Sequence, residues 1–410
     1  MPLVKAPFFR GLPGSLKPRV SAAGAILVVG CMVGLSSAAE RPAAGEIPAA
    51  LPSQALLVAT VRWGSTTLSA LDLRGGAIVP IVTKPSAEMD IAAAPGRVAY
   101  LVREGSDPTR NYVETLDLQT RRAYRFGPPA GFALLGFALD PAGSDLAYSA
   151  MDIRRSRSRS AYWQSALANL ETGKDRICLS SGPHSPTGEA IPIPFGWSPS
   201  SGAIYFRGLM PFRGMIDGDL WAMREDGPGL IRLLADSEYV GRPALSPDGR
   251  FLAYLSSQAD LLPVSQIRAP GAPPGNTLTV MELATGRKTS VTGKAGVTFG
   301  CVRWSAADDQ VIAERREPRE GREDALALVS AAARDAFQLR DIAVQPSAGA
   351  AVVDIARCGA GGPLFWVEKD GGQRRLRTAR SSREAATILA LGGGELRVIG
   401  CLGGNTLERH

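Results

Sequence analysis

The stretch Gly241-Arg242-Pro243-Ala244-Leu245-Ser246-Pro247-Asp248-Gly249-Arg250-Phe251-Leu252-Ala253-Tyr254-Leu255 decides the fold. An apolar run meets Ser-Pro-Asp-Gly and re-emerges as an alternating run that ends in Ala-Tyr. Proline presets φ at the first corner of a turn, and glycine accepts the positive φ needed to reverse direction, so the segment reads as strand, tight turn, strand.

The pattern recurs. Ala94-Pro95-Gly96-Arg97-Val98-Ala99-Tyr100, Asp140-Pro141-Ala142-Gly143-Ser144-Asp145-Leu146-Ala147-Tyr148 and Trp197-Ser198-Pro199-Ser200-Ser201-Gly202-Ala203-Ile204-Tyr205 repeat it closely. Looser copies lie at Trp304–Ile312 and Cys358–Trp366. The turns fall at positions 96, 143, 202, 249, 308 and 361, at intervals of 47, 59, 47, 59 and 53 residues. A second turn follows within each unit, as in Leu116-Asp117-Leu118-Gln119-Thr120, Leu167–Gly173, Leu220–Gly227 and Val280–Gly286, with one more at Leu71–Gly76. Units of about fifty residues with four strand-like runs predict four-stranded antiparallel blades stacked radially. Six units carry a recognisable first turn. A further N-terminal unit over Leu56–Thr83 lacks a first strand, which Glu395–Gly400 can supply, so the expected fold is an all-β propeller of seven blades rather than six, closed by the C-terminal strand. The domain plan is a leader over 1–39, a linker over 40–54, the propeller over 55–404 and a tail over 405–410.

Strand, Ser-Pro-Asp-Gly, strand ending in Ala-Tyr resembles the WD-like repeat of TolB-type propellers, strongly at 243–255 and loosely over most of 55–404. That resemblance implies a periplasmic propeller. The repeat is shared with the propeller domains of prolyl-oligopeptidase-like peptidases, so it speaks for architecture before role. Unlike TolB, the chain has no room for an α/β domain ahead of the propeller, since Glu40–Ser53 is short.

Export is expected on separate grounds. Lys5, Arg10, Lys17 and Arg19 precede an apolar run from Ala22 to Leu35, followed by Ser36-Ser37-Ala38-Ala39. This is the pattern of a signal peptide, with cleavage before Glu40, acylation of Cys31 in a lipobox-like Val28-Val29-Gly30-Cys31, or an uncleaved anchor all open. The formal charge of +7 owes four cations to this leader, which leaves 42 cations against 39 anions in the remainder. Long-range steering of nucleic acid by so small an excess is not expected. Outside the leader Cys178, Cys301, Cys358 and Cys401 match no zinc or CxxC spacing; one or two disulfides and four free thiols are both open.

The chemistry-bearing motifs of common enzymes are missing from the sequence. It has two histidines, His184 and His410, and no Gly-x-Ser-x-Gly elbow, P-loop, dinucleotide fingerprint or HExxH. No cofactor and no metal is expected. Interest moves to the connections between second and third strands, which leave a propeller on the face opposite the Pro-Asp-Gly turns. They lie at 154–159, 207–216, 260–275 and 315–324 and carry Arg154, Arg155, Arg157, Arg159, Arg207, Phe212, Arg213, Arg268, Arg315, Arg316, Arg319 and Arg322. Arginine amid apolar residues such as Leu209-Met210-Pro211-Phe212 and Leu261-Leu262-Pro263-Val264 suits a protein-binding face. Of these, Arg155, Arg157, Arg159, Phe212, Arg213, Arg268, Arg315 and Arg316 are the candidate partner-binding residues. The function expected is a non-catalytic, monomeric, periplasmic or envelope-associated scaffold for a protein or peptide, touching the membrane only through a lipid on Cys31. The alternatives are a propeller lyase, lactonase or glycan hydrolase using the central channel, and a binder of anionic glycans or lipid headgroups.

Overall fold

The computed structural model describes residues 51–402, leaving out 53, 63, 86, 95, 158–159, 183–184, 186, 210–218, 225–228, 236–237, 258–274, 306–309, 319–324, 333–336, 343–345, 348–349, 359–361 and 380–385. It also leaves out the side chains of 85, 87–90, 157, 160–161, 240–242 and 325–326. The leader with Cys31, the first part of the linker, and the tail lie outside the described residues.

The Ser246–Gly249 turn is built as its residues require. Ser246 Oγ accepts the N–H groups of Arg250 (3.0 Å) and Phe251 (2.9 Å) and donates to Asp248 (2.6 Å), while Gly249 takes φ +68°. The tyrosine that ends the repeat is buried in Tyr100, Tyr148, Tyr205 and Tyr254. Two of these phenols donate to acids farther out in the same blade, Tyr100 to Glu114 and Tyr148 to Asp175 at 2.6 Å. A buried phenol needs such a partner, which explains why the repeat ends in a tyrosine.

Seven four-stranded sheets follow. Blade 1 holds β1 (Ala55–Arg62), β2 (Ser65–Asp72) and β3 (Ile78–Pro85), and blade 2 holds β4 (Ala87–Ala94), β5 (Arg97–Val102), β6 (Tyr112–Asp117) and β7 (Ala123–Phe126). Blade 3 is β8 (Phe132–Leu139), β9 (Asp145–Arg157), β10 (Ser160–Asn169) and β11 (Asp175–Ser180). Blade 4 is β12 (Ile191–Trp197), β13 (Ala203–Leu209), β14 (Leu220–Arg224) and β15 (Leu230–Leu234). Blade 5 is β16 (Val240–Leu245), β17 (Phe251–Ser256), β18 (Thr277–Glu282) and β19 (Lys288–Thr292). Blade 6 is β20 (Thr298–Trp304), β21 (Gln310–Glu317), β22 (Ala325–Ala332) and β23 (Arg340–Ile342). Blade 7 is β24 (Ala351–Arg357), β25 (Leu364–Asp370), β26 (Gln373–Ala379) and β27 (Ala386–Gly392). The last strand, β28 (Glu395–Leu402), pairs antiparallel with β1 and becomes the inner strand of blade 1. The propeller thus has seven blades and is closed by its C-terminus.

The core lies between blades. Each of seven hydrophobic clusters among the described residues joins one blade to the next, so burial holds the ring together joint by joint. At the joint of blades 5 and 6, Trp304 stacks on Phe251 with centroids 6.0 Å apart and donates its indole N–H to Ala244 O at 2.8 Å. At the closing joint Leu396 and Val398 of β28 pack with Phe365, Val367 and Leu376 of blade 7. A disulfide between Cys358, just after β24, and Cys401, in β28, fastens the same joint. One of the two arrangements open in the sequence is thereby selected, with Cys178 and Cys301 free.

Candidate functional site

A propeller offers two places for function, the central channel and the loop faces. The channel wall is made by the inner strands β28, β4, β8, β12, β16, β20 and β24, and every one of them breaks register against its neighbour near its middle. Bulges re-aim side chains and are frequent beside functional sites. The residues left over at single-residue bulges are Leu135, Phe195, Val353 and Ile399, all apolar. Val353 is 36% exposed. An inner strand has blades against both its faces, so mid-strand exposure of this kind is exposure to the channel. At the bulge of β20, Cys301 holds the unusual φ of +46° and burial pushes its thiol up.

Among the described side chains an ionic group stands out on this wall. The Arg303 guanidinium of β20, its side chain 39% exposed, meets Asp354 of β24 at 3.1 Å. Asp354 also accepts the N–H groups of Ile355 (3.1 Å) and, across the joint, of Val398 in β28 (2.9 Å). Burial holds the Asp354 carboxyl above the usual carboxylate range, against the opposing pull of Arg303, the two backbone N–H groups and the charge of Arg397. Three ionisable side chains from three neighbouring inner strands therefore act on one another here. Asp354 spends both its oxygens on tying those strands together.

Other buried carboxylates are used in the same manner. Glu368 is held by Ser347, the Trp366 indole N–H at 2.7 Å and Arg377 at 3.5 Å. Glu114 is held by Tyr100, by Lys84 at 2.9 Å and by Arg125 at 3.5 Å. Asp140 and Asp152 bind backbone N–H groups of their own turns. Among the described residues no group of three His, Cys, Asp or Glu side chains is placed to hold a metal ion. His184 and His410 lie outside the described residues. The Cys178 thiol is pushed up to about 11 by burial, which makes it a poor nucleophile near neutrality.

Of the candidate partner-binding residues, three can be placed in detail. Arg155 stands on β9 with its side chain 73% exposed, 3.5 Å from Asp152. Arg315 and Arg316 are not loop residues but belong to strand β21. Arg315 pairs with Glu317 at 2.9 Å and Asp341 at 2.8 Å. Arg316 donates from Nε and Nη2 to Glu314 Oε1, both at 2.8 Å, and counters the burial that raises this carboxyl. Arg157 has a described backbone and an undescribed side chain, while Arg159, Phe212, Arg213 and Arg268 lie outside the described residues. The sequence did not single out Arg303 and Asp354. The one signal for Asp354 was a charge inside the apolar run Val352-Val353-Asp354-Ile355, which pattern alone cannot distinguish from an exposed strand position.

The segment expected as a loop at 154–159 is the largest departure from the sequence-based picture. β9 continues to Arg157, which pairs with Ser160 at the start of β10.

No protein-family model and no curated protein matches the chain. Solved structures similar to it are propellers at low identity. Puromycin hydrolase shares 17% identity at a TM-score of 0.55 over 86% of this chain, which spans 54% of that one. The β-propeller domain of the trilobed protease from Pyrococcus furiosus, with an open velcro topology, shares 11% at 0.51, covering 84% of this chain and 97% of that one. TolB from Acinetobacter baumannii shares 13% at 0.43, over 84% and 81%. The likeness to the two structures with TM-scores above 0.5 bears out the fold and leaves the activity to be argued from the site.

Proposed function

We propose that the protein is a non-catalytic scaffold of the periplasm or cell envelope that binds a protein or peptide through the face bearing its second-to-third strand connections. The observation that carries this is the use of the buried carboxylates. Each of the six found among the described residues, Glu114, Asp140, Asp152, Glu314, Asp354 and Glu368, is engaged by side chains or backbone N–H groups that hold blades or turns in place. A general acid or base needs a lone pair or proton turned toward a substrate; these six carboxylates are turned toward the groups that hold them, and Glu114 Oε2, which has no hydrogen-bond partner, is buried away from any substrate. Binding, by contrast, asks only for surface on a rigid frame. The Cys358–Cys401 disulfide suits an oxidising compartment, in keeping with the leader. A removed or lipidated leader and a monomeric ring complete the proposal.

A catalytic alternative draws on Arg303, Asp354 and Arg397 in the channel, because perturbed carboxylates gather at active sites. Photo-crosslinking in the native envelope separates the two. A photoreactive residue in place of Arg155 should give protein adducts, while one in place of Pro247, on the opposite face, should give none. Adducts only from the Pro247 position, or a protein retained only by a probe in the channel at Val353, would contradict the proposal.

A further inference from the structure

The channel wall carries hydrogen-bond donors that the fold leaves unspent. A guanidinium has five N–H donors. Arg303 of β20 directs Nη2 to Asp354 Oδ1 at 3.1 Å and Nη1 to Val302 O at 3.1 Å, which accounts for two of them. Its side chain is 39% exposed, so donors remain open to solvent at the wall. Arg397 of β28 is half-buried between Leu396 and Val398, which pack into the joint with blade 7. Among the described residues no carboxylate pairs with Arg397. Its charge nonetheless reaches Asp354, where burial raises the carboxyl and Arg397 is among the groups that oppose this.

The described charges on β20, β24 and β28 do not cancel at this point. Glu395 is taken by Arg374 at 3.8 Å, and Arg357 turns to Gln310 at 3.4 Å. Arg303 and Arg397 are left with Asp354, two positive charges against one negative. Asp354 itself is closed to a ligand, being buried and already accepting from Arg303 and from the N–H groups of Ile355 and Val398. The guanidinium beside it is open. Val353, the bulge residue next to Asp354, adds exposed apolar surface to the same wall. A planar guanidinium fork matches a carboxylate, and small-molecule sites combine an apolar lining with a few placed polar groups.

We propose that the channel wall of blades 6, 7 and 1 binds a small organic monoanion, a carboxylate carried on an apolar body. The carboxylate meets the unspent donors of Arg303 and the charge of Arg397, and the apolar body covers Val353. One negative charge completes the balance that Asp354 leaves short by one. Inorganic phosphate would meet the arginines but make no use of Val353. The site is separate from the loop face to which the scaffold proposal assigns the partner, and it asks for binding alone, with no acid or base role for Asp354.

The test titrates benzoate, benzamide and inorganic phosphate into the full chain by calorimetry. Benzoate should bind, more weakly as salt rises, and benzamide, of the same shape without the charge, should not. Arg397→Gln removes a cation that no described carboxylate engages, and should weaken benzoate binding by about tenfold at an unchanged melting temperature. Val353→Asp sets a carboxylate beside the site and should abolish binding. Arg303 is left in place, because its loss would strand buried Asp354. No binding of benzoate, equal binding of benzamide, or benzoate binding unchanged in both variants overturns the proposal. Phosphate binding that Arg397→Gln removes, with no benzoate binding in the parent, overturns it in favour of an inorganic anion. Benzoate binding with the expected variant pattern supports the site even where no envelope partner crosslinks at Arg155, so the channel site and the scaffold proposal fail separately.

Discussion

Gly249 shows how much a single residue can decide. A Cβ built there would lie 2.2 Å from Ser198 Oγ and 2.6 Å from Ser198 Cα, because the turn of blade 5 rests on the first turn residue of blade 4, whose hydroxyl donates to Gly249 O at 3.0 Å. Gly202 occupies the matching turn of blade 4 with φ +60° and open space around it. Gly202→Ala should therefore cost about 1–2 kcal/mol, the left-handed penalty alone. Gly249→Ala should cost about 3–4 kcal/mol, since strain and overlap add. Denaturant unfolding of both variants checks this, and equal losses would mean that the blade-to-blade contact is not tight. The positive φ of Gly249 was legible from Pro-Asp-Gly, but the contact with Ser198 was not, as the two residues lie 51 apart in sequence. Arg316 makes the opposite point. It reads as a free loop cation, yet it shares a strand face with Glu314 two residues before it and neutralises that buried carboxylate. Removing Arg316 would leave a buried charge unpaired, at a cost of about 3–5 kcal/mol, so it is a poor choice for probing binding.

Among the strands, β28 carries the closure of the ring. The closing strand was legible because the N-terminal unit shows three strand-like runs and the C-terminus one. Its fastening was not legible, since four cysteines allow several pairings and spacing does not choose among them. Three devices hold β28 in place, namely its ladder with β1, the Asp354–Val398 hydrogen bond and the Cys358–Cys401 disulfide across 43 residues. Replacing both cysteines by serine should cost about 4 kcal/mol by loop entropy. Amide exchange should rise first in β1 and β28, before the other blades. Uniform exchange throughout the ring would show that closure is not the weak joint. The continuation of β9 to Arg157 was not legible in the sequence for a physical reason. Arg154–Arg157 has no apolar alternation, so the period that marks a strand is absent although β9 runs through it.

For the whole molecule, the repeat carried the fold, because radial stacking buries each blade only against its neighbours and a strand-turn-strand unit repeated at near-constant spacing has few other ways to bury itself. Function is set by what remains outside those joints. Among the described residues the channel wall shows the exposed bulge residue Val353 and the Arg303–Asp354 tie, and the long-loop face bears Arg155. The central claim is that this face, not the Pro-Asp-Gly face or the channel, does the work. Its most direct test is the affinity of the crosslinked envelope partner for a variant carrying Arg155→Ser, Arg157→Ser, Arg213→Ser and Arg268→Ser. The variant's folding stability should lie within about 1 kcal/mol of the parent's, and its affinity should be at least about tenfold weaker at low salt. Unaltered affinity in this variant, with binding lost instead on substitution at Pro199 and Pro247, would contradict it.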